Sequence, residues 1–136
     1  KPVRFTGYYK YKAGDGDYIA PNGDVLPGVK DSCSVYSVFF KTDEKTSFLD
    51  GTNILSHPNV VAVAKLPDES RGGTPGDGFA YFDIPFEYYG NGDVDFKNNS
   101  YKLAVILSSS FYGDRYEGAP GSMLIVDNID VITEKK

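Results

Sequence analysis

The chain has no tryptophan, one cysteine, one histidine and one methionine, and its 14 Lys and Arg are outnumbered by 19 Asp and Glu. Each shortage removes a class of function. A net charge of -5 leaves no surplus of clustered cations for phosphate backbones or anionic lipid, so nucleic acid and charged membrane surfaces are excluded as partners. The longest apolar runs, Val60 to Ala64 and Leu103 to Leu107, fall far short of the roughly 20 residues that span a bilayer as a helix, so no membrane insertion by this segment is expected. Cys33 has no internal partner for a disulfide. His57 has no second His or Cys at transition-metal spacing, and the same isolation removes a Ser-His-Asp triad, as does the lack of a G-x-S-x-G elbow.

What is present is aromatic, β-branched and rich in breakers: 11 Tyr, 9 Phe, 15 Gly and 8 Pro in 136 residues, the length of one domain with one core. Six segments rich in Val, Ile, Tyr and Phe, at 3–12, 33–41, 60–66, 79–89, 101–109 and 122–132, are bounded by Gly, Pro, Asn, Asp or Ser. None holds a helical repeat over three turns. The long connections 13–32 and 42–59 are expected to hide short edge strands around Val25-Leu26 and Thr46-Leu49, because structureless loops of that length are uncommon. The expectation is an all-β fold of about eight strands with essentially no helix, packed as a two-sheet antiparallel β-sandwich of jelly-roll type.

The period of two assigns the faces. In 79–89, Phe82, Ile84, Phe86 and Tyr88 point to the core, while Tyr81, Asp83, Glu87 and Tyr89 form a polar, aromatic outer face. In 33–41, Cys33, Val35 and Phe39 share one side and Tyr36, Val38 and Phe40 the other, so that outer face needs cover from a loop or a ligand. Segment 101–107 is likewise apolar on both faces. In the last segment Leu124 and Val126 have the opposite phase from Ile129 and Val131, which requires a β-bulge at Asp127-Asn128.

The opening Gly7-Tyr8-Tyr9-Lys10-Tyr11-Lys12, the run Tyr101-Lys102-Leu103-Ala104-Val105-Ile106-Leu107-Ser108-Ser109-Ser110, the loop Tyr112-Gly113-Asp114 and the stretch Gly118-Ala119-Pro120-Gly121-Ser122 followed by Val126-Asp127 resemble the "putative carbohydrate metabolism domain" of Bacteroidetes proteins. The resemblance spans nearly the whole chain. It implies a galactose-binding-like jelly roll at the C-terminal end of a longer exported protein, located in the periplasm or at the outer-membrane surface, in a family with members labelled putative glycoside hydrolases. The chain opens without Met directly into Pro2-Val3-Arg4-Phe5, and so reads as an excised domain. Jelly-roll binding modules often hold a structural calcium beside the terminal strand. The resemblance therefore also implies a calcium site using Asp127 with main-chain oxygens, against the alternative that Asp127 is only a turn contact.

Three functions follow in order of preference. The first is a noncatalytic carbohydrate-binding module, its glycan partner meeting either the sheet face Tyr81, Asp83, Glu87 and Tyr89 or the loop Tyr112, Asp114, Arg115, Tyr116 and Glu117. Tyrosine rings offer stacking area to sugar C–H faces, and the charged groups offer partners to hydroxyls. The second is a docking domain, whose outer apolar faces on 33–41 and 101–107 meet the N-terminal domain of the same chain. The third is a glycoside hydrolase, which needs two carboxylates about 5–9 Å apart; Asp83 and Glu87, four strand residues apart, lie about 13 Å from one another along a strand. Gly14-Asp15-Gly16-Asp17 and Gly90-Asn91-Gly92-Asp93 are turns, Ser108-Ser109-Ser110 is a strand exit whose hydroxyls satisfy backbone, and Cys33 is a small buried hydrophobe.

Overall fold

The computed structural model describes residues 1–135, apart from the Asp77 side chain. Seven strands form in the order β1 Pro2–Lys12, β2 Ser34–Thr42, β3 Val60–Lys65, β4 Ala80–Pro85, β5 Glu87–Tyr88, β6 Ser100–Ser108 and β7 Met123–Thr133. Among the described residues the helical content is three single 3-10 turns, Asp68–Ser70, Pro75–Asp77 and Gly113–Arg115. One sheet has three strands in the order β4-β1-β7 and the other has four in the order β5-β3-β2-β6, all paired antiparallel. The all-β, two-sheet sandwich expected from the alternation is therefore the fold.

The count is seven because one expected edge strand is a turn, another is reduced to an isolated antiparallel bridge between Ile19 and Val25, and one expected strand is two. Around Val25 the chain makes a tight reversal, with the Ala20 amide donating to the Asp24 carbonyl at 2.8 Å and the Leu26 amide to the Tyr18 carbonyl at 2.8 Å. At Thr46, the Asp43 carboxylate accepts from the amides of Lys45 and Thr46 at 2.9 and 2.8 Å, and a side chain that satisfies local backbone competes with ladder formation. Segment 79–89 splits at Phe86, whose amide donates to the Val3 carbonyl at 2.9 Å. There the chain leaves the three-stranded sheet, as β4 beside β1, and enters the four-stranded one, as β5 beside β3.

The core lies between the sheets, where Phe5, Tyr9, Tyr11, Val35, Phe39 and Phe82 are buried. The abundance of tyrosine is partly an interior feature, since three of the buried rings find a remote acceptor for the hydroxyl. Tyr9 donates to the Ser70 carbonyl at 2.9 Å, Tyr11 to the Ser109 carbonyl at 2.8 Å and Tyr18 to the Glu117 carboxylate at 3.1 Å. A second cluster lies on the outer face of β2, where Ile54 and Leu49 cover Tyr36, Val38 and Phe40. Loop 43–59 thus supplies the cover that this face required, and the outer face of β2 is not the docking surface expected for another domain.

The phase change in the last strand is a bulge, as expected. Thr6 lies opposite Asp130 but Tyr8 opposite Asp127, so β7 carries one extra residue there, and Asn128 takes φ +50. Asn tolerates this left-handed conformation better than most side chains and a β-branched residue tolerates it poorly. Asn128→Val is expected to cost about 1–2 kcal/mol and Asn128→Gly almost nothing, as read by urea denaturation; equal stabilities would show that the bulge relaxes when its residue changes.

Candidate functional site

A concavity of about 590 Å3 opens on the outer face of the four-stranded sheet. Its floor is Tyr36 of β2 and Ile106 of β6, with Ser34 and Ser108 beside them. One wall comes from loop 43–59 through Gly51, Thr52, Leu55 and Ser56. That loop is shaped locally: the Asp50 carboxylate accepts from the Thr52 amide at 2.8 Å, the Ile54 amide donates to the Asp50 carbonyl at 2.9 Å, and Ile54 anchors the loop in the cluster on β2. His57 is part of the same scaffold, its Nδ1 accepting from the Asn59 amide at 3.1 Å.

The other wall is Phe111, Tyr112, Asp114 and Arg115. Stacking organises it. Arg71, paired with Asp68 at 2.9 Å, lies over the Phe111 ring at 3.8 Å. Phe111 meets Tyr112 edge-on, with ring centroids 4.8 Å apart, and the Arg115 guanidinium lies 4.9 Å from the Tyr112 ring centre. Guanidinium–aromatic and edge-to-face contacts each fix a ring at about 0.5–1.5 kcal/mol, so Tyr112 is pre-positioned although it is 39% exposed. The 3-10 turn Gly113–Arg115 closes the loop, with the amides of Arg115 and Glu117 both donating to the Tyr112 carbonyl.

Beneath this wall sits Asp31, 2% exposed and far from the loop in sequence. Its Oδ2 accepts from Ser110 Oγ at 2.6 Å, Ser122 Oγ at 2.7 Å and the Ala119 amide at 3.0 Å, and its Oδ1 from the Ser32 amide at 2.9 Å. Gly118 permits this closeness, because a Cβ there would stand 2.6 Å from Ser110 Oγ. The carboxylate is consumed by structure and ties the entry to β2 at 31–33, the exit of β6 at 109–111 and the entry to β7 at 118–122 together.

The residues expected from sequence are divided by the fold. Of the loop set, Tyr112, Asp114 and Arg115 line the concavity. Tyr116 does not: it caps the 3-10 turn at φ +61 and stands 86% exposed at the loop tip. Glu117 turns to Tyr18. The sheet set does not form one surface. Tyr81 and Asp83 are on β4, where Tyr81 packs on Tyr8 at 5.2 Å between ring centroids, Asp83 is ion-paired with Arg4, and both border a smaller groove of about 260 Å3. Glu87 and Tyr89 follow the crossing at Phe86 and face outward from the opposite sheet. Alternation is kept through the corner, so the four share a phase without sharing a face.

Asp127 sits at the bulge, exposed, with Oδ1 accepting from the Asn128 amide at 2.8 Å. Calcium takes about six to eight oxygens, and among the described residues no group of three or more His, Cys, Asp or Glu could hold a metal ion. Among the described residues, the one side-chain hydrogen bond that Asp127 makes is local, to the Asn128 amide. Cys33 is fully buried and its thiol is pushed up to about 11 by burial, in keeping with an inert packing role.

Reasoning from the sequence missed Tyr36, Thr52, Ser56, Ser34, Ser108 and Ser110 as pocket residues. Tyr36 carried a signal, since its phase set it on the outer face of β2. The two walls carried none, because the contact of residues near 52 with residues near 112 is tertiary.

Burial raises the Tyr36 phenol, and the charge of Asp114 adds to the shift. Tyr11, Tyr18 and Tyr88 are pushed up to about 12, in each case first by burial, with the Glu117 carboxylate adding at Tyr18 and Glu134 at Tyr88. A phenol whose folded value exceeds its unfolded 10.0 favours the folded state fully below pH 10, and that contribution is lost as pH climbs through about 12. Stability is therefore expected to fall between pH 10 and about 12, with these tyrosinates appearing at 295 nm together with the loss of ellipticity. A smooth titration of every tyrosine near 10, ahead of unfolding, would contradict it.

The arrangement offers an aromatic ring, one carboxylate, one guanidinium and several hydroxyls around an apolar floor, the groups that meet a polyol with C–H faces. No curated protein matches the chain. Among the crystal structures similar to it are two from Bacteroides species. One, described as a putative glycoside hydrolase from Bacteroides thetaiotaomicron, aligns with a TM-score of 0.88 and 33% identity over 99% of this chain and 39% of its own. The other, a putative glycoside hydrolase from Bacteroides vulgatus, aligns with a TM-score of 0.82 and 32% identity over 97% of this chain and 52% of its own. This chain thus spans about two fifths and one half of their lengths. The family model described as "Putative carbohydrate metabolism domain" matches residues 1–132, and the chain belongs to that family.

Proposed function

We propose that this carbohydrate-metabolism domain is a noncatalytic carbohydrate-binding module whose ligand is a sugar unit seated between loop 43–59 and loop 109–117. The observation that carries the reading is the Tyr112 ring, held part-exposed by Phe111 and Arg115 at the edge of a concavity large enough for a saccharide. The ring provides the stacking face. Asp114 and Arg115 provide an acceptor and a donor for hydroxyl pairs, and Thr52, Ser56 and Ser108 complete a polar rim.

Binding is favoured over hydrolysis by the lining of the pocket. Asp114 is its one carboxylate, whereas the two-carboxylate mechanism needs a second about 5–9 Å away. The buried carboxylate beneath the wall, Asp31, is committed to four donors. The relatives described as hydrolases are longer chains, so an activity of theirs is compatible with binding by this part.

The test is an array of neutral and acidic oligosaccharides, followed by calorimetry on hits and by product analysis. The expected result is selective binding with Kd on the order of 10 μM to 1 mM and unchanged ligand. Silence across the array, or turnover abolished by Asp114→Asn, would overturn the reading.

A further inference from the structure

The two margins of the sandwich are built differently. On one side the chain itself crosses from β4 to β5 at Phe86 and joins the sheets. On the other, β6 and β7 are both edges, and no such crossing joins them along their length. Leu103, Val105 and Leu107 of β6 lie directly opposite Phe39, Ser37 and Val35 of β2, so they share the face that is turned toward the other sheet. Val35 and Phe39 are 1% and 5% exposed there, yet Leu103, Val105 and Leu107 are 39%, 41% and 40% exposed. An inward-facing apolar row is left open at the margin.

The row also lies on an unprotected strand. Edge strands are ordinarily guarded by bulges, inward charges or short length. β7 has its bulge at Asn128. β6 pairs with β2 over nine consecutive positions without a shift, and its one charge, Lys102, lies on the other face with its ammonium donating to the Ser47 carbonyl at 2.6 Å. Among the described residues, no backbone-to-backbone hydrogen bond outside the β2 ladder involves residues 100–108. A nine-residue edge with free amides and carbonyls, above an apolar row of period two, is a template for a further strand.

We infer that the β6 edge and the open seam beneath it dock a strand of an adjoining domain of the same polypeptide. Two observations select that occupant. In two similar crystal structures this fold is 39% and 52% of the chain, so there it is joined to about three fifths and about one half of a chain's length in additional polypeptide. Both ends of the present fold lie on the sheet that borders the seam: Pro2 is opposite Thr133 of β7, and the Glu134 amide donates to the Lys1 carbonyl at 2.9 Å. Chain entering or leaving there starts beside the open margin. Tethering supplies a millimolar effective concentration, which lets a modest apolar row hold a neighbour that it would not capture from solution. This inference does not depend on the carbohydrate reading, since the concavity lies on the outer face of the same sheet.

The test is amide hydrogen exchange across residues 100–108 in the uninterrupted gene product, at several protein concentrations. Docking predicts that every interior amide of β6 is protected, including the alternate ones directed away from β2, and that Val105→Asp speeds those alternate amides about 100-fold while β2 stays protected. Fast exchange at alternate amides in the wild type would overturn the inference, and so would protection lost on dilution, which would assign the seam to a second copy. Because the wild-type pattern alone decides, failure of the variant to fold leaves the test intact.

Discussion

Asp31→Ala is expected to lower the midpoint of thermal unfolding by roughly 10–17 °C, the largest effect of any single substitution outside the apolar core. The residue is 2% exposed and its two oxygens take four donors from three separate parts of the chain. Removing it strands Ser110 Oγ and the Ala119 amide in a space that Gly118 keeps narrow, while Ser122 Oγ keeps the Ala119 carbonyl at 2.9 Å. Leaving buried donors without their charged acceptor costs about 3–5 kcal/mol, which at about 0.3 kcal/mol per degree for a domain of this length gives the stated shift. Asp31→Asn retains the shape and one acceptor oxygen, and should lose roughly half as much. Calorimetry on both variants is the measurement; a drop under about 3 °C for the alanine variant would mean that the serines find other acceptors.

The second large effect is on affinity. Tyr112→Ala should weaken glycan binding by about 5- to 30-fold, since losing one stacked, pre-positioned ring typically removes about 1–2 kcal/mol. Tyr81→Ala is the matched control: the same residue type, more exposed at 58%, but packed on Tyr8 beside the smaller groove. It should leave affinity within about twofold. The reverse result, with Tyr81 critical and Tyr112 silent, would move the site to β4. A unit held by Tyr112 alone, with no effect of Asp114→Asn, would show that the rim adds no recognition of hydroxyls.

The fold was legible because period-two alternation survives almost everywhere, and the ends of most strands fall within a residue or so of the expected limits. Even the bulge at Asn128 could be read, as a clash of phase between Val126 and Ile129. What alternation cannot report is which sheet a strand joins. Phe82, Ile84, Phe86 and Tyr88 all point inward on both sides of the crossing, so the corner left no mark on the pattern, and an apparent four-residue site dissolved into two halves facing opposite ways. The loop half of the site was legible at Tyr112, Asp114 and Arg115. The other half was not, because the wall from residues 51–56 is brought there by tertiary packing, Ile54 and Leu49 on the outer face of β2. Asp31 belongs to no local motif, and the tyrosines of the interior look like those of the surface until the carbonyls of Ser70 and Ser109 are brought to their hydroxyls.

The place of β1 in its sheet bears on how the protein comes into being. It is the central strand of three, yet its neighbours are β4 and β7, so its second ladder waits for the last strand of the fold to be translated. Until then an apolar ribbon carrying Phe5, Tyr9 and Tyr11 lacks one side. Such distant pairing slows assembly to milliseconds or longer, and it leaves the apolar face of an unfinished sheet uncovered for as long as the last strand is missing.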